Sequence, residues 1–219
     1  MNNQIHIFGP QFSTFVRSVQ LCCEEKGIAY TVGTQVNGEQ IAFKGEQHFN
    51  WNPFGKVPVL LHGDRHLIET ASICRYLDAA FDGPALQPDD PWLRAQVDQW
   101  AATLSLYIDQ ILVRDYLLEF AFPKGEDGTV RMDRVREAEP EVKHTLALLE
   151  TQLGNSRYLV TDSFTIADAI AAPMLDYIFN LPAAEALTAQ TPLLKTYLQR
   201  LRQRPSGNRV FTDVDLASG

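Results

Sequence analysis

The feature that most constrains the fold is a change in hydrophobic periodicity near residues 83–90. Before this point, short apolar runs alternate with segments of helical spacing, whereas beyond it almost every apolar pattern has helical spacing. Gly83-Pro84 and Asp89-Asp90-Pro91 interrupt both patterns, as linkers do. The sequence therefore predicts two domains in the 219-residue chain, at 1–82 and 91–219, joined by a linker at 83–90.

The first domain is predicted to be α/β. Its first strand, helix and second strand occupy about 30 residues, which is typical of a βαβ unit. The predicted order is β-α-β-α-β-β-α, with strands near 5–8, 28–32, 57–61 and 66–68 and helices near 13–26, 39–48 and 70–81. The second domain is predicted to be all-α, with helices near 91–122, 132–153, 165–181, 183–189 and 192–204.

The charge and composition exclude several classes of partner. The chain has 19 basic and 27 acidic residues, a net charge of −8, and no short segment rich in Lys and Arg. Binding of nucleic acid or of an anionic membrane is therefore not expected. The longest apolar run is far shorter than the ~20 residues that span a bilayer, and the N-terminal residues lack a leader pattern. We expect a cytoplasmic protein.

Cysteine and histidine give no sign of redox or metal chemistry. There is no CxxC motif, so a dithiol oxidoreductase is not expected, and Cys22, Cys23 and Cys74 fit as small buried side chains on helices. The five histidines lack the spacing of metal ligands, so no metal site is predicted. Neither a GxGxxG nor a Walker motif occurs.

Val57-Pro58 lies within an apolar run that otherwise indicates a strand. A proline there removes a ladder donor, so it must lie at an edge, at a bulge or after a cis bond. In the cis arrangement the neighbouring backbone groups would be free to pair with an extended ligand. An ordinary edge-strand proline is the alternative.

Glu69 and Thr70 precede the last helix of the first domain. Thr70 is a suitable N-cap, and a helix N-terminus binds anions. With the Glu69 carboxylate beside it, this point could bind an α-amino acid, its carboxylate on the helix and its ammonium on Glu69. An ordinary N-cap is the alternative.

Ser13 lies at the start of the first predicted helix. A hydroxyl there can donate to a thiolate brought in by a ligand, since helix N-termini lower thiol pKa values. Thr14 is the neighbouring rival for this role, and Arg17, one turn further on, would add positive potential. A plain N-cap serine is the alternative.

Taken together, these motifs resemble the cytosolic glutathione transferase family over nearly the whole chain. The most specific resemblance is the pair formed by Asn52-Pro53-Phe54-Gly55-Lys56-Val57-Pro58 and Glu69-Thr70-(x2)-Ile73. Phe8-Gly9-(x3)-Ser13 and Ser163-Phe164-Thr165-Ile166-Ala167-Asp168 extend it to both domains.

The resemblance implies a thioredoxin-like glutathione-binding domain, an all-helical second domain and a homodimer. As in the serine-type (phi- and theta-like) classes, Ser13 would stabilise the thiolate of glutathione. The tyrosine and cysteine classes fit less well, since the first Tyr is Tyr30 and the nearest Cys is Cys22. The implied glutathione contacts are Val57 and cis Pro58 for the cysteinyl unit, Glu69 and Thr70 for the γ-glutamyl end, and Lys44 and Lys56 for the glycine end.

The implied activity is attack of the glutathione thiolate on a hydrophobic electrophile. Its pocket is expected between the domains, with Phe12, Tyr107, Ile111 and Arg114 as candidates, although Tyr107 and Ile111 could equally be core residues. Phe54 could contact a partner subunit or simply pack on the surface. Thr165 and Asp168 have capping-box spacing and are assigned to folding.

Two other functions fit the same resemblance. One is a glutathione-dependent isomerase, dehalogenase or peroxidase on the same site, although the Ser-Ser-Cys run of the isomerase type is missing around Ser13. The other is a non-catalytic binding or regulatory protein with this fold. The presence of Ser13, Val57-Pro58 and Glu69-Thr70 together argues against the second.

Overall fold

A computed structural model describes residues 4–181 and 184–211 of the chain. The predicted second domain runs to residue 219 and one of its predicted helices begins at residue 183. Those parts of the two predictions lie outside the described residues.

The N-terminal part is built on a mixed four-stranded sheet in the order β2-β1-β5-β6. Strand β1 runs parallel to β2 and antiparallel to β5, and β5 forms a hairpin with β6. The strands of the N-terminal part are β1 (Ile5–Phe8), β2 (Tyr30–Gly33), β3 (Gln35–Val36), β4 (Glu39–Gln40), β5 (Val59–His62) and β6 (Arg65–Leu67). Its helices are α1 (Thr14–Lys26), α2 (Glu46–Trp51) and α3 (Thr70–Ala80).

Alternation along β1 gives the sheet two apolar faces. Ile5 and Ile7 join the main core with α1 and α3, whereas Phe8 joins a smaller cluster with Val59 and Leu61. This two-sided burial confirms the predicted α/β architecture and fixes the register of the central strands.

Three local predictions were wrong. Residues 39–40 form a strand of the small β3–β4 hairpin, and the next helix begins only at Glu46. Asn37 and Gly38 both have positive φ, so the Asn-Gly pair forms the hairpin turn that the sequence analysis missed.

The other two corrections concern the ends of a strand and a helix. Pro58 precedes β5 instead of lying within it. Glu69, and not Thr70, is the N-cap of α3.

The rest of the described chain is helical, as predicted. Helix α4 (Pro91–Thr103) continues into a π-helical segment (Leu104–Leu117) and then α5 (Leu118–Ala121). The remaining α-helices are α6 (Met132–Leu153), α7 (Ile166–Phe179), α8 (Ala184–Thr188), α9 (Pro192–Arg202) and α10 (Pro205–Val210). Within the described ranges, none of these helices is long and apolar enough to cross a membrane.

Helix α7 is the centre of the helical part, with every residue from Ile166 to Ile178 buried. The predicted capping box at its start is present: Asp168 accepts from the Thr165 N–H at 2.8 Å. The buried Asp168 carboxylate also accepts from the Leu159 N–H and from the Tyr197 hydroxyl, both on segments outside the helix. The Asp168 carboxylate therefore caps α7 and also connects it to the segments that carry Leu159 and Tyr197.

The predicted linker is held against the first domain. The buried Lys26 ammonium donates to the Asp78 carboxylate at 3.0 Å and to the Pro84 carbonyl at 3.2 Å. Asp78 also accepts from the Leu86 N–H, and the Leu86 carbonyl accepts from the Ile166 N–H at the start of α7. The placement of the domain boundary at 83–90 itself stays a prediction.

Two buried tyrosines allow a matched test of this packing. Tyr197 donates to Asp168 at 2.7 Å, whereas the buried Tyr116 hydroxyl has no hydrogen-bond partner among the described residues. We expect Tyr197→Phe to lower the free energy of unfolding by about 1–3 kcal/mol, because it removes a bond to a carboxylate. Tyr116→Phe should leave it unchanged or raise it. Denaturant unfolding checks both, and equal losses would contradict the assignment.

Candidate functional site

A cleft of about 690 Å³ runs between the two parts of the chain. On the N-terminal side it is lined by Lys56–Pro58 and by residues 69–72 at the start of α3. On the helical side it is lined by Asp98, Ala102, Ser105 and Leu106. Five of the sequence-predicted residues meet here: Lys56, Val57, Pro58, Glu69 and Thr70.

The Val57–Pro58 peptide bond is cis, as the resemblance implied. Val57 lies just before β5, beyond the last ladder pair between Phe8 and Val59. Neither its N–H nor its C=O makes a hydrogen bond to any residue in the described ranges. Both groups are therefore available to pair with an extended ligand in the cleft.

The loop after β1 passes directly against Val57. A Cβ on Gly9 would lie 3.0 Å from the Val57 Cβ and 2.7 Å from Val16 Cγ2, and Gly9 has a φ of +145°. Only glycine fits this approach without displacement. Gly9 thus brings the loop that leads to Ser13, and the first turn of α1, next to the cis proline.

Ser13 is the N-cap of α1, with extended backbone dihedral angles. Its carbonyl accepts the first helical bond from the Arg17 N–H, but its hydroxyl does not cap the helix. Among the described residues the hydroxyl has no partner, and the side chain is half-buried. A free hydroxyl and unpaired N–H groups therefore lie together at the positive end of the helix dipole. Ser13 itself is not among the residues that line the cleft, but Phe15, two residues further on, is.

The start of α3 offers a second set of donors. Ile73 makes the first helical bond, to the Glu69 carbonyl, so the N–H groups of Thr70, Ala71 and Ser72 have no helical partner. All three residues line the cleft. Glu69 has a φ of +70°, an unusual conformation for a residue with a side chain, and such strain is concentrated at functional sites. A carboxylate bound here would meet the helix N-terminus, with the exposed Glu69 carboxylate beside it.

The two candidate lysines differ in position. Lys56 lines the cleft and is exposed. Lys44 is not among the lining residues; it has a φ of +59°, and its ammonium lies 5.6 Å from the ring centroid of Phe43. The structure therefore brings only Lys56 to the cleft wall.

His48 and Asn52 hold the segment before the cis proline. Both donate to the Lys56 carbonyl, at 3.0 and 2.9 Å, and Asn52 also accepts from the Phe54 N–H. The sequence analysis included Asn52 only as part of the motif that carries the resemblance, and it gave His48 no role. The role of His48 could not be predicted from residue spacing, because its hydrogen-bond partners are backbone groups, which every residue has.

Arg17 is directed to the helical part of the chain. Its side chain is buried, with Nη1 3.5 Å from Asp176 Oδ2 and the guanidinium 4.6 Å from the Tyr177 ring centroid. Its Nε donates to the Gln11 carbonyl. Burial lowers the pKa of Arg17 and raises that of the Tyr177 phenol to about 12. Arg17 therefore joins α1 to α7, a contact that the sequence did not reveal, and its effect on a thiolate near Ser13 stays a prediction.

The four candidate pocket residues do not line one cavity. Ile111 and Arg114 line a second cavity of about 470 Å³ between the π-helical segment and α6. Tyr107 is 66% exposed and is not among the lining residues of either cavity. Phe12 contacts Phe122 with ring centroids 5.8 Å apart, an aromatic pair that sequence reasoning missed. Their common role in electrophile binding stays a prediction.

Arg75 and Asp98 also face the cleft and were missed. Their 2.8 Å ion pair joins α3 to α4, and Gln87 donates to the same Asp98 oxygen. Helix periodicity alone could not show that residues 23 positions apart meet.

The three cysteines, Cys22, Cys23 and Cys74, are buried and form no disulfide. Burial raises the pKa of the Cys23 thiol, which disfavours the reactive thiolate form.

Comparison with known proteins covers both parts of the chain. Residues 7–85 match the family model of the glutathione S-transferase N-terminal domain, and residues 113–205 match that of its C-terminal domain. Glutathione S-transferase F14 of Arabidopsis thaliana is 33% identical over 162 residues, which are 71% of this chain and 62% of that protein. Probable glutathione S-transferase GSTF1 of Oryza sativa subsp. japonica is 28% identical over 213 residues, covering 92% of this chain and 93% of that protein.

The chain is also similar to solved structures. The theta class glutathione S-transferase from the citrus canker pathogen Xanthomonas axonopodis pv. citri, with glutathione bound, is 28% identical with a TM-score of 0.84. The match covers 98% of this chain and 99% of that one.

The position of Arg17 can be tested against a second arginine on the same carboxylate. Asp176 is also paired with Arg202, whose side chain is 35% exposed compared with 2% for Arg17. We expect Arg17→Met to lower the free energy of unfolding by about 2–3 kcal/mol, because it breaks a buried pair. Arg202→Met should cost about 1 kcal/mol or less. Denaturant unfolding of both variants is the measurement, and the reverse order would contradict the assignment.

Proposed function

The chain belongs to the glutathione S-transferase family of enzymes, and we propose that it transfers the glutathione thiolate to hydrophobic electrophiles, with Ser13 stabilising the thiolate. The observation that carries this proposal is the cleft itself. There, the unpaired backbone of Val57, the free N–H groups of α3 and the Glu69 carboxylate face one space. The Ser13 loop is packed against Val57 through Gly9.

Glutathione would bind in an extended form along these groups. The Val57 N–H and C=O would pair with the backbone of the cysteinyl unit. The α-carboxylate of the γ-glutamyl unit would accept from the N-terminal N–H groups of α3, and its ammonium would approach Glu69. Lys56, with Lys44 as the second candidate, would attract the glycine carboxylate. The related Xanthomonas enzyme is described with glutathione bound, which supports this choice of cosubstrate.

Ser13 would act on the sulfur and not as a nucleophile. Its hydroxyl donates a hydrogen bond to the thiolate, and the N-terminus of α1 adds its dipole, so that ionisation of the thiol becomes more favourable. The thiolate then forms the new bond to an electrophilic carbon. In a substitution the leaving group departs with its electron pair, and the thiol proton passes to solvent. Holding both reactants together supplies much of the remaining rate.

The electrophile would bind beside the Ser13 loop. Phe12 is 38% exposed and contacts Phe122, which gives this edge an apolar surface. Tyr107, Ile111 and Arg114 remain candidates further along the π-helical segment. The proposed small-molecule partners are glutathione and a hydrophobic electrophile. The proposed location of the protein is the cytoplasm.

A second copy of the chain is the proposed protein partner. Phe54 is 71% exposed within a turn whose backbone is bonded to the Asn52 side chain. An exposed aromatic ring on such a turn suits a contact with a partner subunit, as the resemblance implies.

The role of Ser13 is tested with Ser13→Ala and with Thr14→Val as its matched control. Loss of one donor to the developing reaction centre costs about 10²–10³ in rate, so we expect Ser13→Ala to lower kcat/KM for a chloronitrobenzene by about that factor. The thiolate of bound glutathione, followed by its ultraviolet absorbance, should form at higher pH. Thr14 is buried, and its valine variant should keep wild-type activity. The reverse result would transfer the role to Thr14.

The γ-glutamyl contact is tested with Glu69→Gln. This change keeps the shape of the side chain and removes the charge that would face the ammonium. We expect the Kd for glutathione, measured by calorimetry, to rise about tenfold, a typical value for loss of one charge-assisted hydrogen bond. S-methylglutathione should lose affinity equally, because its γ-glutamyl end is the same. Glu46→Gln, at an exposed position on α2, serves as the control. An unchanged Kd for Glu69→Gln would exclude the contact.

A further inference from the structure

His48 is the most deeply buried titratable side chain near the cleft that the proposed mechanism leaves without a role. It lies on the short helix α2, is 0% exposed, and has both ring nitrogens engaged by main-chain groups of other residues. Its ring is surrounded by aromatic side chains, with centroids 4.8 Å from Phe8, 5.3 Å from Phe43 and 6.3 Å from Phe49. The ring therefore has one orientation available.

The two hydrogen bonds determine which ring nitrogen of His48 carries the proton. The Lys44 N–H can only donate, so Nδ1 of His48 accepts at 3.0 Å. The Lys56 carbonyl can only accept, so Nε2 carries the proton and donates, also at 3.0 Å. A neutral imidazole with its proton on Nε2 satisfies both partners at once.

These partners belong to the two segments that carry the candidate lysines. Lys44 has a φ of +59°, and the bond from its N–H to His48 holds it in this conformation. Lys56 immediately precedes Val57, whose backbone is free in the cleft. The segments also touch directly, since a Cβ on Gly55 would lie 3.3 Å from Lys44 Cγ. One ring thus ties the Lys44 turn to the residue before the cis proline.

We propose that His48 is a positioning residue for glutathione: its neutral ring bridges Lys44 and Lys56, and so aligns the glycine-end lysines with the Val57 backbone. This inference rests on the proposed function, since it concerns the same cosubstrate. It predicts that His48 contributes to the binding of glutathione and little to the chemical step, because its hydrogen bonds go to Lys44 and Lys56 and not to Ser13.

The test compares His48→Phe and His48→Gln in the full chain. Phenylalanine keeps the aromatic packing and removes both hydrogen bonds, whereas glutamine keeps one donor and one acceptor. His144→Gln, at an exposed position of α6, is the matched control. For each protein we would measure the Kd for glutathione by calorimetry. We would also determine KM for glutathione and kcat at saturating chloronitrobenzene, well below the thermal midpoint.

We expect the Kd and KM of His48→Phe to rise about tenfold, as loss of two hydrogen bonds implies, with kcat within about threefold of wild type. His48→Gln should recover part of the affinity, and His144→Gln should match wild type. If Kd and KM of both His48 variants stay within about twofold of wild type, whatever happens to the thermal midpoint, His48 is only a packing residue and the inference is rejected. A wild-type protein without affinity for glutathione would instead reject the proposed function.

Discussion

The structure depends above all on the packing of α1 between the sheet domain and α7. Ion pairs at four positions of this helix connect it to other elements. Arg17 pairs with Asp176 on α7 and Lys26 with Asp78 on α3, whereas Glu24 and Glu25 pair with Arg209 on α10 and with Arg204 just before it. Buried ion pairs add little net stability, but they disfavour alternative packings, in which a charge would be buried alone. The N-terminus of α1 carries Ser13, so the position of this hydroxyl is determined by both domains.

The sequence predicted the elements with strong local signals. Apolar periodicity predicted the helices at Met132–Leu153 and Ile166–Phe179 to within two residues at each end, and the capping box at Thr165 and Asp168 was recognisable from spacing alone. Periodicity could not identify the elements in residues 33–51, because strands of two residues are too short to show alternation of apolar and polar side chains. There the Asn37-Gly38 pair was the only local signal for the turn.

The candidate site was predicted in part, for a physical reason. Val57, Pro58, Glu69 and Thr70 were found because a proline in an apolar run and a polar residue before a helix have local consequences. His48, Arg75 and Asp98 were missed because their roles come from contacts with distant or backbone groups, which leave no pattern in the sequence. The contact of Arg17 with Asp176 was not predicted, because one-turn spacing from Ser13 says nothing about which neighbouring helix its guanidinium contacts.

The cleft combines rigid and adaptable walls. On the N-terminal side, the backbone of each residue proposed to bind glutathione is held by a neighbour. Val57 is held by its approach to Gly9, Lys56 by bonds from His48 and Asn52, and Glu69 by the first helical bond of α3. On the opposite side, the cleft is lined by Leu106, which is about two-thirds exposed on the π-helical segment. Exposed side chains can change with little effect on the core. The groups proposed to bind glutathione are therefore held by contacts within the fold, whereas a substitution at Leu106 on the opposite wall is expected to leave the fold unaltered.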